Sequence, residues 1–198
     1  MSTFAELVPE GTDPPPDIPA PIFQAALGGF LGERRLDMKA LAAEVGISRA
    51  TLYRRVGDRD HLLGAVLWFL TRHAIARAVS FNERRRGARR VVGVIDRFMH
   101  DVHSQPALRR LLDAEPEAAL RLLTSKRGPV QGGVIEAVTR LLEQERERGR
   151  LELRMDAATT AYIIVRVGES FLYADVIAAA EPDVDRAVEV IRQLLDGG

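Results

Sequence analysis

The chain has 198 residues, 46% of them hydrophobic, and its 28 lysine and arginine residues balance its 28 aspartate and glutamate residues. Zero net charge excludes a general basic field that would coat nucleic acid indiscriminately. The absence of cysteine excludes disulfides and thiolate metal sites. Because the chain shows no signal-peptide pattern and no continuous apolar run of about 18 residues, we expect a cytoplasmic protein that does not enter a membrane.

The first 21 residues combine six prolines with acidic side chains and contain no lysine or arginine. Proline and charge both disfavour a packed helix, so residues 1–21 are predicted to form a flexible acidic arm. The first helix is predicted from about residue 21 to residue 34. Its expected inward-facing residues are Ile22, Ala26 and Phe30.

Residues 38–59 have the pattern of two helices joined by a tight turn. Leu41 and Val45 repeat at helical spacing, and Gly46 supplies a backbone that can turn sharply. Ser48 can cap the second helix by accepting a hydrogen bond from an amide near Thr51. The segment therefore predicts a short, fixed turn.

At about 100° per residue, the second helix of this segment has one apolar side and one basic side. Leu52 and Val56 share the inward side, whereas the outward side and its flanks carry Arg49, Ala50, Thr51, Tyr53, Arg54 and Arg55. Such a face suits the DNA major groove. An ordinary helical hairpin with a solvated charged face is the alternative.

Each outward residue type has a role in this interpretation. Ala50 permits close approach of the helix, and Arg49 and Arg54 can bind guanine edges with two hydrogen bonds each. Arg59, in the first turn of the next helix, is expected to contact a phosphate. The predicted DNA-binding set is completed by Lys39, Ser48, Thr51, Tyr53 and Arg55.

This segment resembles the N-terminal domain of the TetR family of one-component transcriptional regulators. The resemblance is carried by Leu41-Ala42, Gly46-Ile47-Ser48, Thr51-Leu52-Tyr53 and Leu62-Leu63. It implies a three-helix, helix-turn-helix DNA-binding domain at residues 22–67 and a helical domain for ligand binding and dimerisation at residues 68–198. It also implies a homodimeric repressor, bound to a near-palindromic operator and released by a small molecule.

In the rest of the chain apolar residues recur at helical spacing and do not alternate with polar residues as they do in strands. This pattern predicts an all-α fold. From residue 58 the pattern is apolar nearly all round, as in a connecting helix. The arginine-rich residues 82–90 are interpreted as a solvated helix break. The later helices are predicted at 89–104, 105–113, 116–124, 129–149, 156–180 and 184–196.

A polar stripe lies on the otherwise apolar helix predicted at 156–180. Tyr162, Arg166, Glu169 and Tyr173 fall within about 60° of one another at helical spacing. Burying an arginine and a glutamate is costly unless they are paired. The stripe therefore faces a partner subunit, a ligand cavity, or itself through an Arg166–Glu169 contact.

The family resemblance implies an effector pocket and a dimer seam in this region, with the dimer formed by residues 156–196. The predicted pocket residues combine apolar walls with a few polar groups: Trp68, Phe69, Phe98, Met99, Tyr162, Arg166, Glu169, Phe171 and Tyr173. An apolar molecule with a carbonyl or carboxylate head, such as an acyl chain or a lactone, would suit them. The layout is similar to regulators of bacterial signal-lactone degradation, the QsdR type.

No enzymatic machinery is visible in the sequence. His100 and His103 have a spacing that could share a metal, but no fixed third ligand accompanies them. The segment from Gly168 to Phe171 lacks the last glycine of a nucleophile elbow. We therefore expect no metal, no cofactor and no catalysis. A DNA-binding dimer without a ligand is the alternative function, and an all-helical enzyme is the distant third.

Overall fold

The computed structural model describes residues 17–125 and 128–196, and these ranges form eleven α-helices and no strand. The predicted all-α fold is confirmed. The acidic arm predicted at residues 1–21 lies mostly outside the described residues. The helices are α1 (Ala20–Leu31), α2 (Met38–Glu44), α3 (Arg49–Val56), α4 (Arg59–Phe81), α5 (Gly87–His103), α6 (Pro106–Ala114), α7 (Pro116–Thr124), α8 (Pro129–Glu147), α9 (Ala157–Leu172), α10 (Ala174–Ala178) and α11 (Val184–Asp196).

The described residues divide into two compact units. The first unit contains residues 17–71, 105–125 and 128–130, and the second contains residues 72–104 and 131–196. Helices α6 and α7 therefore group with the N-terminal helices, although the sequence assigned them to the C-terminal domain. The functional division between residues 67 and 68 stays a prediction.

The core of the first unit is built on α1. Ile22, Ala26 and Phe30 are buried, as the sequence predicted. Phe23 is fully buried and meets Phe69 of α4 edge to face, with 5.2 Å between ring centroids. Aromatic pairs of this geometry stabilise a core beyond the area that they bury, so packing compensates for the weak helix propensity of a segment that contains two consecutive glycines.

In the second unit, α11 packs against α5 and α9. Five apolar residues of α11 are already buried within one chain: Val184, Ala187, Val188, Ile191 and Leu195. The single helix predicted at 156–180 is wrong in its extent. It is interrupted at Tyr173, whose backbone leaves helical geometry (φ −113°, ψ 24°) between α9 and α10.

A buried ion pair ties the start of α5 to the end of α8. The Glu145 carboxylate, with 0% of its side chain exposed, accepts hydrogen bonds from the Gly87 amide and the Arg90 guanidinium, both at 2.6 Å. Burial alone would raise the pKa of Glu145, but the Gly87 and Arg90 hydrogen bonds outweigh it and hold the pKa below its ordinary value. The solvated helix break predicted at 82–90 is therefore wrong at Asn82 and Arg90, which are both buried.

Helix α4 is the one helix in the described ranges that is long and apolar enough to cross a membrane by length and composition. However, 61% of its most apolar stretch is buried inside the protein. Buried core helices of water-soluble proteins can be equally long and apolar.

Candidate DNA-binding surface and effector region

Side-chain caps and one glycine set the geometry of the α2–α3 helix-turn-helix, from the start of α2 to the start of α3. The Asp37 carboxylate accepts a hydrogen bond from the Ala40 amide at 2.7 Å, and this bond holds the pKa of Asp37 below its ordinary value. Gly46 has a φ of 69°, a backbone region that favours glycine. Ser48 Oγ accepts a hydrogen bond from the Thr51 amide at 3.1 Å. The predicted turn and cap are confirmed.

Helix α3 presents a basic face to solvent. Leu52 and Val56 are 0% and 2% exposed, so they anchor the helix from its inner side. The outer residues Arg49, Ala50, Tyr53, Arg54 and Arg55 are exposed. Within residues 17–125 and 128–196, the guanidinium groups of these three arginines form no ion pair, and their donors are available to an anionic partner.

The polar residues that flank this face differ in their exposure and in their hydrogen bonding. Lys39 and Ser48 are exposed, whereas Thr51 is half-buried and its hydroxyl is hydrogen-bonded to Ser48 Oγ at 2.9 Å. A hydroxyl in such a pair can still accept or donate one more bond. Both side chains therefore remain compatible with a phosphate contact.

Arg59 differs from the arginines of α3. Its Nη2 donates to Glu115 Oε1 at 2.7 Å, its Nε donates to the Leu36 carbonyl at 2.8 Å, and 22% of the side chain is exposed. These contacts favour an internal role over the phosphate contact that the sequence predicted. Sequence reasoning missed Glu115 because it lies 56 residues further along the chain.

The residues predicted to line an effector pocket are divided between the two units. Trp68 and Phe69 belong to the first, and Phe69 packs against Phe23. In the second unit, Met99 is buried beside Gly168 of α9. The remaining predicted residues of that unit include buried Tyr173 and half-buried Phe98 and Phe171.

The polar stripe contains an internal ion pair. Arg166 Nη1 donates to Glu169 Oε2 at 2.7 Å, and Gln131 Nε2 donates to both oxygens of Glu169 at 2.9 and 3.1 Å. Burial raises the pKa of Glu169, and the contacts with Gln131 and Arg166 offset this only in part. Tyr162, 52% exposed, and Arg166 lie on the solvent side of α9.

An apolar cavity lies within the second unit between α4, α5 and α8. Its volume is about 20 Å³, whereas drug-sized ligands occupy pockets of about 300 to 1,000 Å³. Phe98 is the one predicted pocket residue in its wall. The lining residues are Ile75, Val79, Val94, Ile95, Phe98, Val134, Ala137, Val138 and Leu141.

Residues 86–196 match the family model of the tetracyclin repressor-like C-terminal domain. The chain belongs to the TetR family. The fold is similar to that of the transcriptional repressor QsdR from R. erythropolis, with a TM-score of 0.79, 29% identity, and coverage of 88% of this chain and 92% of that one. It is also similar to the TetR family repressor AlkX from Dietzia sp. strain DQ12-45-1b, implicated in n-alkane biodegradation, with a TM-score of 0.63, 26% identity, and coverage of 92% and 96%. No curated protein sequence matches the chain.

Membership of this family agrees with the basic face of α3. TetR-family repressors bind operator DNA, dimerise and bind small-molecule effectors. The protein is accordingly a DNA-binding transcriptional regulator with an N-terminal helix-turn-helix.

Proposed function

We propose that the protein is a homodimeric, cytoplasmic repressor that reads a near-palindromic operator with α3 and leaves it when a small apolar effector binds. The observation that carries this proposal is the exposed face of α3. There, three arginines without ion pairs in the described ranges surround Ala50, the small residue that lets a helix approach base edges.

The side chains of this face divide into base-reading and phosphate-binding groups. Arg49 and Arg54 are assigned to guanine, because their forked guanidinium groups match the O6 and N7 acceptors. Arg59 is left out of the set because Glu115 and the Leu36 carbonyl already hold it. Phosphate contacts are assigned to Lys39, Ser48, Thr51, Tyr53 and Arg55.

Dimerisation is assigned to residues 156–196, the segment that the family resemblance implies, and the exposed surface of this segment supports the assignment. Five apolar residues of α11 are buried within one chain, so these five do not require a partner subunit. Other large apolar side chains of this segment remain exposed, among them Tyr162, Ile177 and Val190. An exposed apolar set on α9, α10 and α11 supports a seam there, and Arg166 would then lie near it.

The effector is assigned to the second unit, where the wall of the 20 Å³ cavity is entirely apolar. An acyl chain or a lactone would suit such a wall, and the cavity would have to enlarge to admit it. Release then requires the effector to bind the free shape more tightly than the operator-bound shape, by about 1 to 3 kcal/mol. If this cavity does not enlarge, it holds no such ligand, as the second candidate, a DNA-binding dimer without a ligand, requires.

The DNA-binding proposal can be tested with duplexes that the wild-type protein selects from a random library. Arg54→Ala should weaken binding to the selected duplex by about 1 to 3 kcal/mol and relax selection at one base position. Arg84→Ala, which removes an exposed arginine of the second unit, is the matched control. Equal selected-duplex affinities for the two variants at fixed salt would refute the assignment.

The effector proposal needs a separate measurement. A medium-chain fatty acid and an acyl lactone are titrated into the complex of protein and selected duplex, and release is followed by fluorescence anisotropy of labelled DNA. At least one probe should release the duplex at a concentration below that at which it forms micelles. If neither does, and neither binds the free protein by calorimetry, the candidate without a ligand is favoured.

A further inference from the structure

The junction between α6 and α7 carries a carboxylate that contacts the residues before and after the α2–α3 helix-turn-helix. Glu115 Oε1 accepts a hydrogen bond from Arg59 Nη2 at 2.7 Å and another from Arg35 Nε at 3.1 Å. Arg35 lies in the loop before α2, and Arg59 is the first residue of α4, which follows α3. The same Arg59 side chain donates to the Leu36 carbonyl at 2.8 Å, so these three side chains and the Leu36 carbonyl form one network.

Two more ion pairs join the same segments. Arg110 of α6 donates to Glu33 at 3.0 Å, and Glu33 directly precedes the loop that leads to α2. Arg121 of α7 donates to Asp60 at 2.5 Å, in the first turn of α4. The helical hairpin α6–α7 (Pro106–Thr124) is thus tied to the chain both before and after the α2–α3 motif.

Glu115 has a fixed position because its backbone is hydrogen-bonded to both helices of the hairpin. Its amide donates to the Leu111 carbonyl of α6, and its carbonyl accepts from the Ala119 amide of α7, each at 2.9 Å. Its side chain is 16% exposed and that of Arg59 is 22% exposed. Charge-assisted hydrogen bonds shielded from water are stronger than surface ion pairs, so this contact is stronger than the two outer ones.

We propose that Glu115 is a positioning residue for operator recognition, which holds the α2–α3 motif in its reading orientation through Arg35 and Arg59. The proposal rests on the proposed function of α3. Recognition of base edges by two forked hydrogen bonds requires the helix to be held within a fraction of an ångström. A motif attached to the hairpin at both ends meets that requirement better than one attached at a single end.

The test compares Glu115→Gln with Glu117→Gln, the same change on the exposed first turn of α7, where no ion pair is formed within the described ranges. Affinity is measured for a duplex selected by the wild type and for a non-cognate duplex of equal length. Glu115→Gln should weaken selected-duplex binding at least about fivefold and leave non-cognate binding unchanged. Amide hydrogen exchange should accelerate in residues 38–56. Glu117→Gln should match the wild type in all three measurements.

Arg35→Gln provides a second, milder variant, since Arg35 is 76% exposed and its loss leaves the Arg59–Glu115 contact in place. It should give a smaller loss in the same direction, and it keeps the test informative if Glu115→Gln does not fold. Both variants are compared at several salt concentrations.

Three results would overturn the proposal. In the first, Glu115→Gln keeps the wild-type ratio of selected to non-cognate affinity. In the second, both affinities fall equally together with the melting temperature, which would make Glu115 a purely stabilising residue. In the third, non-cognate binding tightens and the salt slope steepens by about 0.9, as one new phosphate contact from the released Arg59 requires. If the wild type selects no sequence, the proposed function itself fails.

Discussion

Replacing Glu145 by glutamine would remove the charge from the most buried ion pair that the structure describes while conserving the shape of the side chain. Glu145 is fully buried, and Arg90 retains 7% exposure of its side chain. The substitution leaves a buried guanidinium without a counterion. Breaking a buried pair from one side costs about 3 to 5 kcal/mol.

This loss corresponds to a decrease in melting temperature of about 6 to 20 °C for a chain of this size. The assay is urea unfolding followed by far-ultraviolet circular dichroism, with thermal melts in parallel. Glu147→Gln, at an exposed position of the same helix, is the matched control and should stay within about 0.5 kcal/mol of the wild type. If Glu145→Gln loses no more stability than this control, the reasoning about the buried pair is wrong.

The lowered pKa of Glu145 also predicts how the effect of Glu145→Gln on stability changes with pH. Because the pKa of Glu145 is lowered in the folded protein, the unfolded chain binds a proton to this group more readily than the folded chain does. Its stabilising contribution is present above the ordinary glutamate pKa of about 4.3 and is lost as the pH falls below that value toward the folded pKa. The stability difference between wild type and Glu145→Gln should therefore shrink at acidic pH. A constant difference would contradict the assignment.

Four other substitutions test separate features. Leu52→Ala removes a fully buried side chain of α3 and should cost about 2.7 to 5 kcal/mol in urea unfolding; a loss below about 1 kcal/mol would contradict its core role. Ser48→Ala removes the α3 cap and should cost about 0.5 to 2 kcal/mol, with faster exchange of the nearby amides; unchanged exchange would argue against the cap. Gly87→Ala should destabilise the protein, because φ is +58° and the new Cβ would lie 2.4 Å from the Arg150 carbonyl oxygen. Tyr162→Glu should shift a wild-type dimer to monomers in sedimentation, and a stable dimer would place the seam elsewhere.

The helix-turn-helix could be predicted from sequence because its determinants are local. The Ser48 cap, the Gly46 turn and the inward Leu52 and Val56 all lie within a segment of a few helical turns. Capping hydrogen bonds and side-chain periodicity depend on neighbours three or four residues away. The structure therefore agrees with the cap, the turn and the inward residues that were predicted for this segment.

The tertiary structure alone decided the contacts between distant segments. Arg59 and Glu115 are 56 residues apart, and Arg90 and Glu145 are 55 residues apart. Nothing local distinguishes these residues from charges on a solvated surface. Their pairing follows from which helices pack together, and that depends on the whole core.

In the polar stripe and the effector region too, local features could be predicted from sequence and contacts between distant segments could not. Helical spacing put Arg166 and Glu169 on one face, but only the fold brought Gln131 to the same carboxylate and interrupted the helix at Tyr173 without a glycine or proline there. The helix at 184–196 could be predicted from sequence, whereas the burial of five of its apolar residues within one chain could not. Periodicity reports which residues share a face, and only packing determines whether that face meets the same chain, a partner subunit or a ligand.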